Sequence, residues 1–265
     1  MVEVIFMKKQ TAKKPHPVIV FLQSGILTWV LLVAIWKFGS LFYTDDFLPG
    51  PLTTLQGAAA LIADGTLGTD ILYSLSRVLK GWLLGLIFAI PVGLCIGNFK
   101  WIGRIFEPFL NFFRFVPAIG FITLFLLWFG VGETSKVALI FYAVIFPVMV
   151  NTIAGVRSVD NALIEASQSL GASRAKTFFS VIFPSAIPNI FTGVRLGLSG
   201  AIICIVAAEM LAASEGVGYL IYTSRLYYRT DWIFTGIFTL GLIGLMADKL
   251  IRLIGNKFLY RFGVR

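Results

Sequence analysis

Six stretches of the chain are apolar almost throughout: residues 18–36, 82–97, 115–131, 137–156, 190–212 and 232–255. A run such as 18–36 is long enough as a helix to cross about 30 Å of hydrocarbon. The pattern predicts an all-α chain that spans a bilayer about six times. Residues 43–69 interrupt it with Asp45, Asp46, Pro49, Gly50, Pro51 and Asp64 and carry no Lys or Arg, which reads as an external loop. Pro91 and Pro147 fall inside apolar runs, where a missing amide predicts kinks.

The longest polar connection, residues 157–189, carries the start and stop signals of two short helices. Asp160 or Ser158 can cap a first helix over 161–170, and Gly171 offers the left-handed residue that ends many helices. Ser173 can cap a second, running through Ala175, Phe178 and Phe179. Pro184 is expected to stop it, with Pro188 following before the fifth span.

Composition agrees with the membrane reading. The 265 residues are 58% hydrophobic and 13% charged, with a mean hydropathy of +0.89, against roughly 45–50% and 25% in a soluble domain. Such a chain lacks the charge to cover a water-facing surface. The net charge of +9 is spread between apolar runs, not gathered into a nucleic-acid footprint. Its distribution sets orientation, because cytoplasmic flanks retain positive charge. One side receives Lys8 to Lys14, then Lys100, Arg104 and Arg114, then Arg157, Arg174 and Lys176, and last Lys249 to Arg265. The other receives Arg77, Lys80, Lys136, Arg225 and Arg229, diluted by acids. Residues 1–17 therefore form a cytoplasmic basic arm, 18 begins a retained first helix, and both termini are expected in the cytoplasm.

Enzyme chemistry has little to stand on. There is no Gly-x-x-x-x-Gly-Lys-Ser/Thr phosphate loop, so the chain has no usual device for ATP. The single histidine, His16, lies in the basic arm, and Cys95 and Cys204 lie in apolar runs, which suits packing better than a disulfide or zinc site. No catalytic residue, bound cofactor or metal is expected.

Within the 157–189 loop, Glu165-Ala166-Ser167, Gly171 and Val181-Ile182-Phe183-Pro184 resemble the EAA signature of permease subunits in binding-protein-dependent ABC importers. Ser167 stands for the family's second Ala, Val181 for Ile and Phe183 for Leu. The likeness extends over about residues 45–255, through Leu48-Pro49-Gly50-Pro51, Ser74-Leu75-Ser76-Arg77-Val78, the segment from Leu127 to Lys136, Phe191 to Gly197, and Ala207-Ala208-Glu209-Met210. These segments are similar to the sulfonate, taurine, nitrate, bicarbonate and pyrimidine-precursor branch. The resemblance implies a type I importer permease fold over 18–265. It implies two copies around a central path, two ATPase subunits carrying ATP and Mg, and an extracytoplasmic solute-binding protein, all in a bacterial inner membrane. Residues 157–189 would be the coupling loop, with Glu165, Ala166, Ser167, Leu170, Gly171, Ala172 and Pro184 as ATPase-coupling residues. The solute would be small and anionic and would move inward by alternating access. The competing reading is an ion-coupled carrier or a channel, for which no internal repeat is evident.

Charges at membrane depth need partners or a wet path. A pair between Glu209 and Arg77 is expected near the outer ends of their spans, bracing a gate or the helix packing, and reversing both charges is expected to restore what either reversal loses. Direct solute contact by Glu209 is the other option. Pro117, Thr123 and Ser199 are candidates for the pore wall. Gly193 and Gly197 form a Gly-x-x-x-Gly face fit for a dimer seam, a pore wall or packing within one subunit. Gly216 and Gly218 permit a tight external turn, which could also meet a docked binding protein.

Overall fold

The computed structural model describes residues 26–262; the basic arm 1–17 and the beginning of the first apolar run lie outside them. The described residues form helices joined by short turns, with no strand among them. In chain order these are α1 (Ile26–Ser40), α2 (Pro51–Ala63), α3 (Thr66–Asn98), α4 (Lys100–Phe113), a 3-10 turn (Ala118–Phe121), α5 (Ile122–Phe129) and α6 (Glu133–Arg157). There follow α7 (Asn161–Ser169), α8 (Arg174–Thr177), a π-turn (Phe178–Ile182), α9 (Phe183–Ala212), α10 (Val217–Leu226), α11 (Thr230–Phe258) and a 3-10 turn (Tyr260–Phe262).

The core lies where α3, α6 and α9 meet. Leu139, Ile140, Val144 and Val148 of α6 are fully enclosed, as are Ala89 of α3 and Ala201 of α9. Lipid tails are as apolar as leucine, so close van der Waals fit must hold such helices together. Glycines provide it. Gly81, Gly85, Gly93 and Gly97 of α3 lie over Ile140, Val144, Thr152 and Val156, and a methyl at Gly85 would come 2.6 Å from Val144 Cγ1.

These contacts also fix direction. Each step along α3 is matched by an equal step along α6, so the two helices run parallel. Against α9 the order reverses, Gly155 meeting Ala186 and Asn189 while Gly200 meets Ala143. α9 therefore runs antiparallel to both. Further out, Gly255 of α11 lies against Phe191 and Arg195 pairs with Asp248, so α11 returns antiparallel to α9. The bundle thus has two ends: one holds the starts of α3, α6 and α11, and the other holds their finishes together with α7 and α8.

Parallel α3 and α6 require the chain between them to travel back along the bundle, and α4 with α5 does so. The two segments bend 87° at their junction. The apolar run 115–131, which the sequence read as the third span, is thus the second half of a bent pair. α5 has 8 residues, about 12 Å at 1.5 Å per residue, too short to cross alone. Pro117 has no amide to donate, and a residue before proline is steered away from helical angles, so α4 cannot continue through Val116. An aromatic cluster seals the break: Phe121 lies 4.5 Å from Tyr142, and Phe113 stacks on Phe146 at 6.4 Å.

Three helical segments are long and apolar enough to cross a membrane by themselves, Thr66–Asn98, Glu133–Arg157 and Arg174–Ala212, and the bent pair supplies a fourth. α11 has 29 residues, with Asp248, Lys249, Arg252 and Lys257 toward its end. α1 reaches the far end through Trp36, which donates to the Pro49 carbonyl at 3.0 Å and stacks 5.7 Å from Phe234. The outward surfaces are greasy as lipid requires, with Leu72, Leu83 and Ile87 of α3 exposed.

Pro184 is a correction. It does not end a helix, since the backbone runs helically from Arg174 to Ala212. A proline ring clashes with the carbonyl four residues back, and just ahead of it the ladder widens by one residue, Phe183 N–H donating to the Phe178 carbonyl. The π-turn absorbs the clash. Pro91 and Pro147 likewise lie inside continuous helices.

Candidate functional site

At the end where α3 begins, five ionisable groups interlock. Glu209, one turn before α9 ends, is 0% exposed. Its Oε1 accepts from Arg77 Nη1 at 2.8 Å, both oxygens accept from Ser74 Oγ at 2.9 Å, and Oε2 accepts from the Gly218 amide at 2.9 Å. Arg77 turns its other edge to Glu133, donating from Nε at 2.7 Å and Nη2 at 2.8 Å. Nη1 also reaches the Glu215 carbonyl at 2.6 Å, and Lys136 Nζ adds 3.0 Å to Glu133. Asp70, one turn earlier on α3, accepts from the Gly216 amide at 2.7 Å, and Ser74 Oγ accepts from Val217 N–H at 3.0 Å.

The arrangement follows from helix periodicity. Asp70, Ser74 and Arg77 recur at the three- and four-residue spacing that aligns side chains on one face, and Glu133 and Lys136 do the same on α6. A guanidinium carries five N–H donors in a rigid fork, and here that fork joins α3, α6, α9 and the turn before α10. Burying charges is costly unless they are paired and hydrogen-bonded; Arg77, Glu209, Glu133 and Lys136 pair among themselves, and the Asp70 carboxylate is held by the Gly216 amide. Gly216 is obligatory on two counts: its φ is +120°, and a Cβ there would run into the Glu209 carboxyl group.

The opposite end carries α7 and α8. Asp160 accepts from Ala162 N–H at 2.9 Å and Ser173 from Lys176 N–H at 3.3 Å, so both short helices are capped by side chains. Gly171 sits at φ +79°. Its amide donates to the Gln168 carbonyl, and Ala172 N–H closes onto the Ser167 carbonyl at 3.1 Å. Ser167 Oγ lies 3.1 Å from Thr177 Oγ1, tying α7 to the root of α9. Glu165, Ala166 and Gly171 are exposed, Leu170 is 89% exposed, and Pro184 is half-buried above them. The segment is shaped internally and presents its tip outward.

The proposed pore residues divide. Pro117 lines a cavity of about 270 Å³ at the α4–α5 break, whereas Thr123 and Ser199 are exposed and lie outside that cavity's lining. Gly193 and Gly197 are spent inside the subunit, against Val148, Asn151 and Val144 of α6. Sequence reasoning brought Arg77 and Glu209 together but did not place Asp70, Ser74, Glu133 or Lys136 with them. Their three- and four-residue spacing was the available signal.

These helices form a membrane-spanning bundle with parallel α3 and α6, a broken return between them and a capped double-helix loop at one end. The chain belongs to the binding-protein-dependent transport system inner membrane component family, whose model matches residues 81–259. It is 40% identical over 228 residues to a probable ABC transporter permease protein of Brucella melitensis, covering 86% of this chain and 89% of that one. It is 36% identical over 245 residues to the taurine transport system permease protein TauC of Escherichia coli, covering 90% and 88%. The nitrate import permease protein NrtB of Synechococcus elongatus is 32% identical over 239 residues, covering 85% and 86%. In fold it resembles an inward-facing structure of the MetNI methionine ABC transporter, with a TM-score of 0.55 over 71% of this chain and 92% of that one at 17% identity. An amino acid ABC transporter gives 0.56 over 79% and 97% at 19%. The chain is a permease subunit of an ABC importer, in the taurine, sulfonate and nitrate branch of its family.

Proposed function

We propose that this permease carries a small anionic solute into the cell by alternating access, with ATP and Mg held by a separate ATPase and no cofactor or catalytic residue on this chain. Two copies of the permease pair around the path, two ATPase subunits seat the α7–α8 tips, and an extracytoplasmic binding protein delivers solute at the end where Arg77 and Glu209 lie. The Lys and Arg distribution supports a cytoplasmic position for α7 and α8, and for both termini, at the inner membrane.

One observation carries this reading. The helix that begins at Arg174, tied to α7 through Ser167 and Thr177, continues without interruption to Ala212 and so bears Glu209 near its far end. At 39 residues it is a rod of about 58 Å. A displacement of the α7–α8 tip tilts the rod and acts on the buried cluster at its other end. That is a mechanical link between motor and outer closure. Glu165, Ala166, Leu170, Gly171 and Ala172 make the tip, while Ser167 and Pro184 fix it to the rod.

The test is co-purification. The permease, expressed with the ATPase encoded beside it, should retain that subunit through affinity purification, and Leu170→Asp or Gly171→Val should reduce retention at least tenfold while the bundle melts as before. Unchanged retention, or uptake driven by an ion gradient without ATP, would overturn the assignment.

A further inference from the structure

The α4–α5 break holds a cation, Arg114. Arg114 was counted among the flanking charges; it caps α4 at the break and is exposed there. The preceding carbonyl, of Phe113, accepts from Tyr142 Oη at 3.1 Å. Tyr142 lies nine residues from Glu133 and fifteen from Arg157 along α6, or about 14 Å and about 22 Å from its two ends at 1.5 Å per residue. Arg114 therefore sits level with the middle of α6.

Several cations on the spanning helices have carboxylate partners: Arg77 has Glu209 and Glu133, Lys136 has Glu133, and Arg195 has Asp248. Arg114, like Lys80 of α3, pairs with no carboxylate among the described residues; its guanidinium carbon lies 4.7 Å from the Phe115 ring. It is exposed, and it borders the cavity of about 270 Å³ formed with Pro117, Tyr142, Ala143, Gly200 and Ile203. A bare guanidinium at this depth is not stable against lipid and calls for water and an anion. The lining otherwise is small or apolar, which leaves the cation as the sole charged feature of the cavity. The position is also where the chain breaks, so backbone and side chain can both face a wet path.

We infer that Arg114 and the cavity at the α4–α5 break form the mid-membrane contact for the anionic group of the solute, a sulfonate, carboxylate or nitrate-like oxyanion. The fork of Arg114 suits two oxygens of such a group. This deepens the anion-import reading above and rests on it for the identity of the cargo, though not for the preference of the site. The Arg77 cluster is not the contact, because its donors are already used.

Charged thiol reagents test it without knowledge of the natural solute. In the permease–ATPase complex, with Cys95 and Cys204 changed to Ala, an Ile203→Cys variant places a thiol on the cavity wall. Sulfonatoethyl methanethiosulfonate is expected to react about tenfold faster, relative to its reactivity with a free thiol, than the trimethylammonioethyl reagent, as one nearby unit charge dictates. Adding Arg114→Gln should abolish the preference and Arg114→Lys should keep most of it. Equal rates in the Arg114 protein, or reaction with N-ethylmaleimide alone, would overturn the inference, the latter by placing the face against lipid. Uptake of radiolabelled taurine and nitrate is read in parallel with Cys95, Cys204 and Ile203 intact. A complex that moves neither refutes the anion-import reading, and the reagent preference then still decides the role of Arg114; uptake that survives Arg114→Gln overturns that role.

Discussion

At the residue scale, the buried cluster changes what a charge swap can show. Reversing Arg77 and Glu209 together looks like a clean test of their pair, but Glu133 grips the opposite edge of the same guanidinium at 2.7 Å and 2.8 Å. A glutamate at position 77 would face Glu133 directly, so the double reversal is not expected to restore function even though the pair exists. Removal is more informative. Glu209→Ala leaves Arg77, which is 2% exposed, short of one of its two carboxylates, and losing one partner of a buried pair costs about 3–5 kcal/mol. Glu209→Gln keeps the shape and still accepts from Ser74 and Gly218, so its loss should be smaller. Denaturant unfolding of the purified permease should rank the wild type above Gln and Gln above Ala; an alanine variant as stable as wild type would show that the cluster does not hold this end closed. The sequence made the pair legible because two opposite charges at matching depth are few in an apolar chain. It hid Glu133 and Lys136 because, at the mouth of a span, a charge that turns inward looks the same as one that faces water.

Among the elements, glycine decides which helices touch. The Gly193 and Gly197 spacing was visible in the sequence, yet Gly81, Gly85, Gly93 and Gly97, which do the same for α3 against α6, sit in a run whose leucines drew the eye to length. Gly85 is the sharpest case, since a methyl there would lie 2.6 Å from Cγ1 of the fully enclosed Val144. Neither partner can retreat. Gly85→Val is expected to cost at least about 3 kcal/mol, the upper range for overpacking a tight core, and to cut the folded yield in membranes severely. Gly241→Val on α11, where nothing lies within 4 Å, should express and melt like the wild type. Equal yields would mean that α3 and α6 are not held at this spacing. Helix boundaries were less legible than helix faces: Pro184 carries a strong stop signal, and only a widened turn ahead of it, which no local rule foretells, lets the rod continue.

For the whole molecule, the order of crossings follows from two facts that no apolar run contains: α3 and α6 are parallel, and α9 is antiparallel to both. Parallel neighbours demand a return, which is why the third run had to be a crossing although its helix is only a few turns long. The consequence is that the α7–α8 tip and the turn before α10 must lie on opposite sides, since a single traverse by α9 separates them. This can be checked in intact cells. With Cys95 and Cys204 replaced by alanine, a cysteine at Ser169, on the exposed tip, should be protected from an impermeant maleimide until the membrane is opened. A cysteine at Ser214, just beyond the end of α9, should label from outside at once. Labelling of both from the same side would contradict the bundle itself, because a 30-residue helix of about 45 Å cannot leave both of its ends on one surface. Labelling with the sides exchanged would keep the bundle and invert it. The ATPase would then be unable to reach the loop, and the charge asymmetry, not the fold, would be the part that misled.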